Sequence, residues 1–159
     1  MNINALIDTL SAAIATDPDL SAWCQANYGR GPTVFVSFDE RNPPAAGDLP
    51  AVILYPVSKA VGLLRIGKDH GVMVECWLEN DGLHPRDGIP NIVEYTGTRH
   101  IEQMRKLVEA VASGIDTGDT ILSEAAIEYD TISHFPAFFA VMLLTYQEES
   151  VPLGADRME

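Results

Sequence analysis

The chain has 159 residues, of which 47% are hydrophobic, and it carries a formal net charge of -13. The length predicts one domain, and this apolar fraction can form a buried core, which excludes a largely disordered chain. Because like charges repel, the acidic surface disfavours proteins that grip a nucleic-acid duplex or lie on an anionic membrane. We expect a single domain over residues 1–150 and a flexible C-terminal tail at residues 151–159.

The excess of acidic residues is concentrated in the last third of the chain. No Lys or Arg lies between Lys106 and Arg157, whereas Asp and Glu recur throughout that segment. The simpler interpretation is a solvated surface that keeps an apolar protein soluble. The other interpretation is a surface that must not bind DNA.

The N-terminal third predicts two helices followed by a strand. Apolar residues recur at helical spacing from Ile3 to Ile14, which indicates an amphipathic helix. Asp17 suits the N-cap of a second helix and Pro18 suits its first position, while Gly29 supplies the turn that ends it. The segment TVFVSF then alternates as a strand does.

Two segments rich in proline, glycine and charge interrupt the middle of the chain. DERNPPAAGDLP separates the first strand from a second, AVILYPV, which we expect to end at Pro56. VGLLRIGKDHGVMVECWLEN is predicted as two strands or one long bent strand, and NDGLHPRDGIPN follows it as a second exposed loop. If both loops project together from a rigid sheet they can bind a partner, although ordinary variable loops have the same composition. The residues assigned to partner binding are Asp39, Glu40, Arg41, Asn42, Asp81, His84, Arg86 and Asp87.

The segment TGTRHIEQMRKLVEAVASGI has the clearest helical pattern, with Thr98 as its expected N-cap and Gly114 as its stop. Its apolar stripe comprises Ile101, Met104, Leu107, Val108, Val111 and Ile115. A half-exposed strand, a bend at SHFP and an apolar strand through Leu144 are predicted next. Phe135 to Leu144 is half of the about 20 residues that a membrane-spanning helix needs, so we expect a central strand covered on both faces.

Taken in order, these elements predict an α+β fold. We expect a mostly antiparallel β-sheet packed with an N-terminal helix and with one long helix in the C-terminal half of the chain. Glu75 and Trp77 alternate with the core positions of their strand, so we expect a helix or a partner to cover the sheet face that carries them.

The sequence holds few arrangements that are typical of catalysis or metal binding. Cys24 and Cys76 are far apart and lack a Cys-x-x-Cys pattern, so we interpret both as reduced thiols. His70 lies near Cys76, but such a pair is more often a coincidence than a metal site. GRGPT lacks the third glycine of a dinucleotide-binding loop and precedes a strand, so we interpret it as a turn. No residue pattern requires a cofactor.

Acid–base chemistry is the catalytic alternative. Glu124, Glu128 and Asp130 cluster, and paired carboxylates can transfer protons, but residues two apart on a strand also form an ordinary solvated face. A small hydrolase would use Glu124, Glu128 or His134, and a small-ligand-binding domain would need an enclosed apolar cavity. The two charged loops favour a binding or assembly role over both.

Five segments together carry a resemblance to a known family. They are the helix INALIDTLSAAI, the strand PAVILYPV, the loop-rich strand HGVMVECWLEN, the long helix IEQMRKLVEAVASGI and the closing pair AAIEYDTISHFPAFFAVMLLTY. In this order they resemble the phage and prophage tail terminator family, also called tail completion or tail-tube terminator proteins. The likeness extends from Met1 to Gln147 and rests on element order, since no short motif is diagnostic.

The resemblance implies a non-enzymatic subunit that forms a ring, usually a hexamer, which caps the tail tube and joins it to the head. The implied partners are further copies of the chain, the tail tube protein and a head-completion or neck protein, with DNA passing through unbound. The implied location is the host cytoplasm during assembly and then the virion tail, with no membrane. Another head–tail joining protein or a tail-assembly factor is the alternative in this class. An acidic lumen is assigned to Glu124, Glu128, Asp130, Glu148 and Glu149.

Overall fold

The computed structural model describes residues 2–61, 67–115, 117–118 and 120–149. The helices within these residues are α1 (Ile3–Thr16), α2 (Pro18–Tyr28) and α3 (Thr96–Ser113), with a short 3-10 turn at Ala46–Asp48. The strands are β1 (Thr33–Val36), β2 (Ala51–Val61), β3 (Gly67–Glu79), β4 (Leu83–Arg86), β5 (Ile89–Tyr95), β6 (Thr120–Asp130) and β7 (Ala137–Glu149). None of the described helices is long and apolar enough to cross a membrane.

The strands form one five-stranded sheet and one separate hairpin. The order in the large sheet is β1-β2-β3-β7-β6, and its neighbours are antiparallel except for the parallel pair β1 and β2. Strands β4 and β5 pair only with each other among the described residues. The predicted α+β class, with a mostly antiparallel sheet, is therefore confirmed.

All three helices pack on one face of the large sheet. On β7 the alternate residues Phe138, Ala140 and Met142 are fully buried in the core against residues of α1 and α3. The residues between them, such as Phe139 and Val141, point to the opposite face and are half-buried. We call that opposite side the open face, because no described α-helix packs on it; its β2 residues Ala51 and Ile53 are nevertheless fully buried, whereas its residues on β3 and β7 are half-buried. Strand β7 is thus an interior strand that is apolar on both sides as predicted, but the described helices cover only one of the two faces that were expected to be covered.

The helix ends follow the capping rules. Asn2 Oδ1 accepts a hydrogen bond from Ala5 N at 2.8 Å, and Asp17 Oδ2 accepts one from Leu20 N at 2.9 Å. Gly29 ends α2 in the left-handed conformation with φ of 74°. The long helix begins at Thr96, two residues before the expected cap at Thr98, and ends before Gly114 as expected. The predicted stripe is buried at Ile101, Met104 and Val108 and half-buried at Leu107, Val111 and Ile115.

Strand β2 does not end at Pro56, which corrects the sequence prediction. Val36, the last residue of β1, pairs with Leu54, so β2 has no described partner on that side at Pro56. A proline is tolerated at such an edge because the missing N–H leaves no ladder hydrogen bond unmade. A register shift between Pro56 and Ser58 then lets the pairing with β3 continue to Val61.

The second predicted loop is mostly a β-hairpin, which is a second correction. Strands β4 and β5 are joined by the dipeptide Asp87–Gly88, and Gly88 has a positive φ of 78°. A two-residue Asp–Gly connection is a common hairpin turn, and the glycine adopts the positive φ without steric cost. The segment VGLLRIGKDHGVMVECWLEN, predicted as two strands or one long bent strand, includes residues 62–66, which lie outside the described residues, and from Gly67 onward it is the single strand β3. The flexible tail expected at 151–159 also lies outside the described residues.

Gly97, at the start of α3, allows close packing of the helix on the sheet. A Cβ atom at this position would lie 2.3 Å from a ring carbon of the buried Phe138. We predict that Gly97→Ala lowers the free energy of unfolding by about 1–3 kcal/mol, because the ring or the helix must shift. Urea unfolding followed by circular dichroism measures this. Gly31→Ala is the matched control, since no heavy atom lies within 4 Å of its Cβ position, and an equal loss there would contradict the packing argument.

Candidate interaction surfaces

The β4–β5 hairpin has one purely apolar face. Leu83 pairs with Tyr95 and Pro85 pairs with Val93, so the four side chains share a side of the hairpin. Leu83, Val93 and Tyr95 are 55%, 60% and 48% exposed. The Tyr95 ring also lies 5.2 Å from the ring of Phe135, which is 47% exposed. We call these five residues the apolar strip, an exposed feature typical of protein–protein contacts.

The opposite face of the hairpin is charged. There the carboxylate of Glu94 is surrounded by two arginines and one histidine. Glu94 accepts hydrogen bonds from Arg99 Nε at 3.0 Å and from Arg86 Nε at 2.6 Å, and His84 Nε2 lies 3.7 Å away. The donors Arg99 and Arg86 lower the pKa of Glu94 to about 2. Of the residues assigned to the second loop, Arg86 is therefore held on β4 by its ion pair with Glu94, and His84 lies beside them.

A shallow cleft of about 670 Å³ separates this hairpin from α3. Arg86, Arg99 and Lys106 supply its basic groups, and Glu94 and Glu102 supply its acidic groups. Basic side chains are scarce in this chain, with 10 Lys and Arg against 23 Asp and Glu. The hairpin and the adjoining turns of α3 are therefore the less acidic flank of the molecule.

The open face is apolar with a carboxylate at its centre. Its side chains from the three inner strands are Ala51, Ile53, Tyr55, Met73, Glu75, Trp77, Phe139, Val141, Leu143 and Thr145. Glu75 accepts hydrogen bonds from Tyr55 Oη at 2.6 Å and from Trp77 Nε1 at 3.3 Å. Burial, and then the hydrogen bond to Glu75, raise the pKa of Tyr55 to about 12. The Trp77 ring packs edge-on against Phe139 at 5.0 Å.

The first predicted loop folds back on itself beside the open face. Asp39 accepts hydrogen bonds from Arg41 N at 3.0 Å and from Arg41 Nε at 3.1 Å, and Asn42 N donates to Asp39 O at 2.9 Å. Phe38 contacts Trp77 with 5.5 Å between ring centres. Glu40 is exposed. Within the described residues, no hydrogen bond, ion pair or ring contact joins this loop to the Asp81–Asp87 segment, so nothing holds the two loops together as one surface.

The proposed acidic lumen residues lie on two sides of the sheet. Glu124, Glu128 and Asp130 pair with Thr145, Val141 and Phe139, which places all three in one row along the open face on the edge strand β6. Asp130 also caps the following bend, because its carboxylate accepts from Ser133 N and from His134 Nδ1, each at 3.0 Å.

Glu148 lies on the helix side of the sheet. It lies 3.0 Å from Nε2 of the fully buried His70, which pairs across the strands with Tyr146. The side chain of Glu149 is outside the described residues. The structure therefore brings Glu124, Glu128 and Asp130 together and separates Glu148 from them.

The groups considered for catalysis or metal binding are not assembled into a site. Burial raises the pKa of the Cys24 and Cys76 thiols to about 12, which keeps both protonated and weakly nucleophilic. His134 contacts Asp130 and the Phe139 ring, and it contacts neither Glu124 nor Glu128. In the part of the chain that the structure describes, no group of three or more His, Cys, Asp and Glu residues could hold a metal ion.

A buried arginine ties α3 to β6. Arg105 is 5% exposed, and its guanidinium donates hydrogen bonds to Glu102 at 2.8 Å and 3.1 Å and also to Glu109. Tyr129 of β6 donates its hydroxyl to the same Glu102. Arg105 is the main cause that lowers the pKa of Glu102 to about 2. The helical pattern gave no indication of this network, because Arg105 follows Met104 as an ordinary exposed position would.

We predict that Arg105→Met lowers the free energy of unfolding by roughly 1–3 kcal/mol at pH 7, since its glutamate partners are only about one-third exposed. The pKa of Glu102 is lowered in the folded state, so its contribution is complete above its unfolded pKa, about 4.3, and is lost as pH falls through about 2. The difference between the variant and the natural chain should therefore narrow as pH falls from about 4.3 to about 2.

Urea unfolding at several pH values measures this difference. Lys106→Met is the control, because Lys106 is exposed and lies 3.7 Å from Glu102, and it should change stability by less than about 0.5 kcal/mol. If the difference in unfolding free energy between Arg105→Met and the natural chain does not change with pH, the ion pair of Arg105 with Glu102 is not what stabilises the fold.

The fold has a counterpart in a virion. A chain of the virion of a native gene transfer agent (GTA) particle matches 89% of this chain and 92% of its own length, with a TM-score of 0.50 and 11% identity. At that identity the likeness establishes a shared fold over nearly the whole of both chains. No protein-family model and no curated protein matches the chain.

Within this shared fold, the apolar strip is the surface that sequence reasoning missed. Leu83 and Pro85 were assigned to an exposed loop and Phe135 to a bend, while Val93 and Tyr95 were assigned to no element, so the alternation that they share was not considered. The turn dipeptide Asp87–Gly88, between residues that alternate in polarity, was the feature that could have revealed it.

Proposed function

We propose that the chain is a non-enzymatic virion structural protein, and specifically a tail terminator whose ring caps the tail tube and joins it to the head. The observation that carries the proposal is the fold shared with a chain of the GTA virion over 89% of this chain. The order of helices and strands along the sequence, which resembles the tail terminator family, is independent support. The exposed apolar strip and the open face are hydrophobic surfaces of the kind through which the subunits of an assembly contact one another.

The same proposal names the partners and the location. The subunit contacts further copies of itself in a ring, taken as a hexamer from the family resemblance. One side of the ring meets the tail tube protein and the other meets a head-completion or neck protein. Assembly takes place in the host cytoplasm, and the mature protein belongs to the virion tail. DNA passes through the ring without specific binding, as a net charge of -13 favours.

The acidic row of the open face is proposed to line the ring. Glu124 and Glu128 are exposed on the edge strand β6, and neither side-chain carboxylate has a hydrogen bond or ion pair to another described residue. Carboxylates in such a position repel phosphates and let a duplex slide. Glu148 is excluded from this set, because it lies on the helix side beside His70.

A tube-capping assay tests the proposal. Tail tube protein from the same phage or prophage genome is polymerised with and without the purified chain, and tube lengths are measured by negative-stain electron microscopy. We expect the chain to shorten the tubes and to appear as density at one tube end. Unchanged tube lengths together with binding to isolated head portals would instead favour a neck protein. If tube lengths are unchanged and the chain binds neither tail tubes nor head portals, the proposal that it is a virion protein is rejected.

A further inference from the structure

A single carboxylate lies among apolar side chains on the interior strand β3. Glu75 is half-buried, and its neighbours across the ladder are the fully buried Ile53 on β2 and the half-buried Val141 on β7. Among the described residues, its side chain accepts hydrogen bonds only from neutral donors, the hydroxyl of Tyr55 and the indole N–H of Trp77. The negative charge of Glu75 therefore has no counter-ion within the described part of the chain, although a carboxylate in apolar surroundings is stabilised by one.

The two hydrogen bonds occupy one acceptor position on each oxygen of this carboxylate. Tyr55 donates to Oε2 at 2.6 Å, and Trp77 donates to Oε1 at 3.3 Å. An ionised carboxylate accepts about two hydrogen bonds on each oxygen, so each oxygen of Glu75 keeps one acceptor position. The guanidinium group of an arginine carries two parallel N–H donors that match such a pair of positions, whereas the ammonium group of a lysine has no such fork. The carboxylate is therefore better suited to an arginine than to a lysine.

Aromatic rings surround the same carboxylate. The Trp77 ring contacts Phe38 and Phe139, with 5.5 Å and 5.0 Å between the ring centres. These three rings and the ring of Tyr55 are only half-buried. Guanidinium groups stack favourably on aromatic rings, and Trp, Tyr and Arg are the residues that contribute most to binding energy at protein interfaces. The rings thus favour the same ligand group as the carboxylate.

The described arginines of this chain already have acceptors. Arg30, Arg41, Arg86, Arg99 and Arg105 each donate a hydrogen bond to a group of their own chain. A second copy of the chain would have to break one of these bonds to supply that arginine, which leaves the former acceptor without its partner. An arginine from a different protein carries no such cost. The occupant is therefore better sought in a partner of different sequence.

We propose that Glu75, Tyr55, Trp77 and Phe38 form a binding site, the Glu75 site, for an arginine side chain that a partner protein of different sequence presents to the open face. The guanidinium donates to both oxygens of Glu75 and stacks on the rings beside them. When the partner covers the face, the ion pair replaces the hydration that Glu75 loses. The site does not require the chain to be a tail protein, so it is tested separately from the proposed function.

A titration followed by NMR tests the site. The probe is N-acetyl-arginine methylamide, and the signal is the indole N–H of Trp77, which donates directly to Glu75. The chain has two tryptophans, and Trp23→Phe identifies which indole signal belongs to Trp77. We expect the probe to shift this signal in a saturable manner. N-acetyl-citrulline methylamide has the same length without the charge, and we expect it to bind at least about tenfold more weakly.

Two matched variants separate the Glu75 site from a general effect of charge. Glu75→Gln keeps an acceptor oxygen for Tyr55 and Trp77 but removes the charge, and we expect it to weaken binding of the arginine probe at least about tenfold. Glu79→Gln removes the same charge from an exposed position two pairs further along the same face of β3. We expect this control to bind the probe within about twofold of the natural chain.

Three results would overturn the inference: no shift with the arginine probe, equal binding of the arginine and citrulline probes, or equal weakening by the two variants. Circular dichroism confirms that Glu75→Gln folds. If it does not, Phe38→Leu replaces it and should weaken binding by about threefold, because it removes one ring of the site; unchanged binding would then overturn the inference. Failure of the tube-capping assay leaves this test unaffected, since the titration needs no tail tube.

Discussion

Lysine at both Glu124 and Glu128 is expected to lower phage infectivity by about tenfold or more while tail length stays normal. Both residues are exposed in one row of the open face, on the edge strand β6. Each substitution reverses one charge, so a ring of six would gain about 24 units of positive charge around the DNA path. Phosphates would then be retained at the row that is proposed to repel them. The measurement is plaque titre together with tail length from electron microscopy.

The control for this experiment reverses the same number of charges elsewhere. Asp8 and Asp19 are exposed on α1 and α2, on the side of the sheet opposite to the acidic row. Asp8→Lys with Asp19→Lys is expected to keep infectivity within about twofold of the natural phage. Equal losses for both pairs would mean that total charge matters and that the row has no special position. Normal titres for both pairs would contradict an acidic lumen built from Glu124 and Glu128.

Phe138→Ala is expected to lower the free energy of unfolding by about 3–5 kcal/mol. Phe138 is fully buried, lies on β7 and fills the space left by Gly97 of α3. Its ring also meets Phe135 at 6.0 Å, so it joins the apolar strip to the core. Truncation leaves a cavity that the close helix–sheet contact cannot fill by collapse. Urea unfolding at pH 7 measures the loss.

The neighbouring Phe135→Ala makes the same chemical change at a 47% exposed position. It is expected to cost only about 1 kcal/mol in unfolding free energy. If both substitutions cost the same stability, Phe138 is not the residue that anchors the hairpin base to the core.

The sequence predicted those elements whose patterns follow directly from burial. Strand β7 is apolar from Ala137 to Leu144 because one of its faces packs against the helices and the side chains of the other face are half-buried. The stripe of α3 was predicted because one helix face meets the sheet. Asp17 and Gly29 were predicted because caps depend on local backbone geometry alone.

The missed features depend on pairing between distant residues. From the local sequence, Pro56 predicts the end of a strand. In the fold, however, β1 has already ended beside β2 before Pro56 is reached, and the sequence around Pro56 does not show how long the neighbouring strand is. The buried Arg105 donates its hydrogen bonds to Glu102 and Glu109, and only the fold brings Tyr129 to Glu102. The residues assigned to the acidic lumen do not all lie on one face of the sheet, for a similar reason. A bulge at Ser123 and the alternation of β7 decide which carboxylates share a face.

Native mass spectrometry of the natural chain over a range of concentrations, alone and with short tail tubes, tests the central claim most directly. The account predicts a single closed oligomer, a hexamer by the family resemblance, that becomes more populated with concentration or on the tubes. A chain that stays monomeric at every concentration and also fails to form a ring on tube ends would contradict the proposal that it is a ring subunit of a virion.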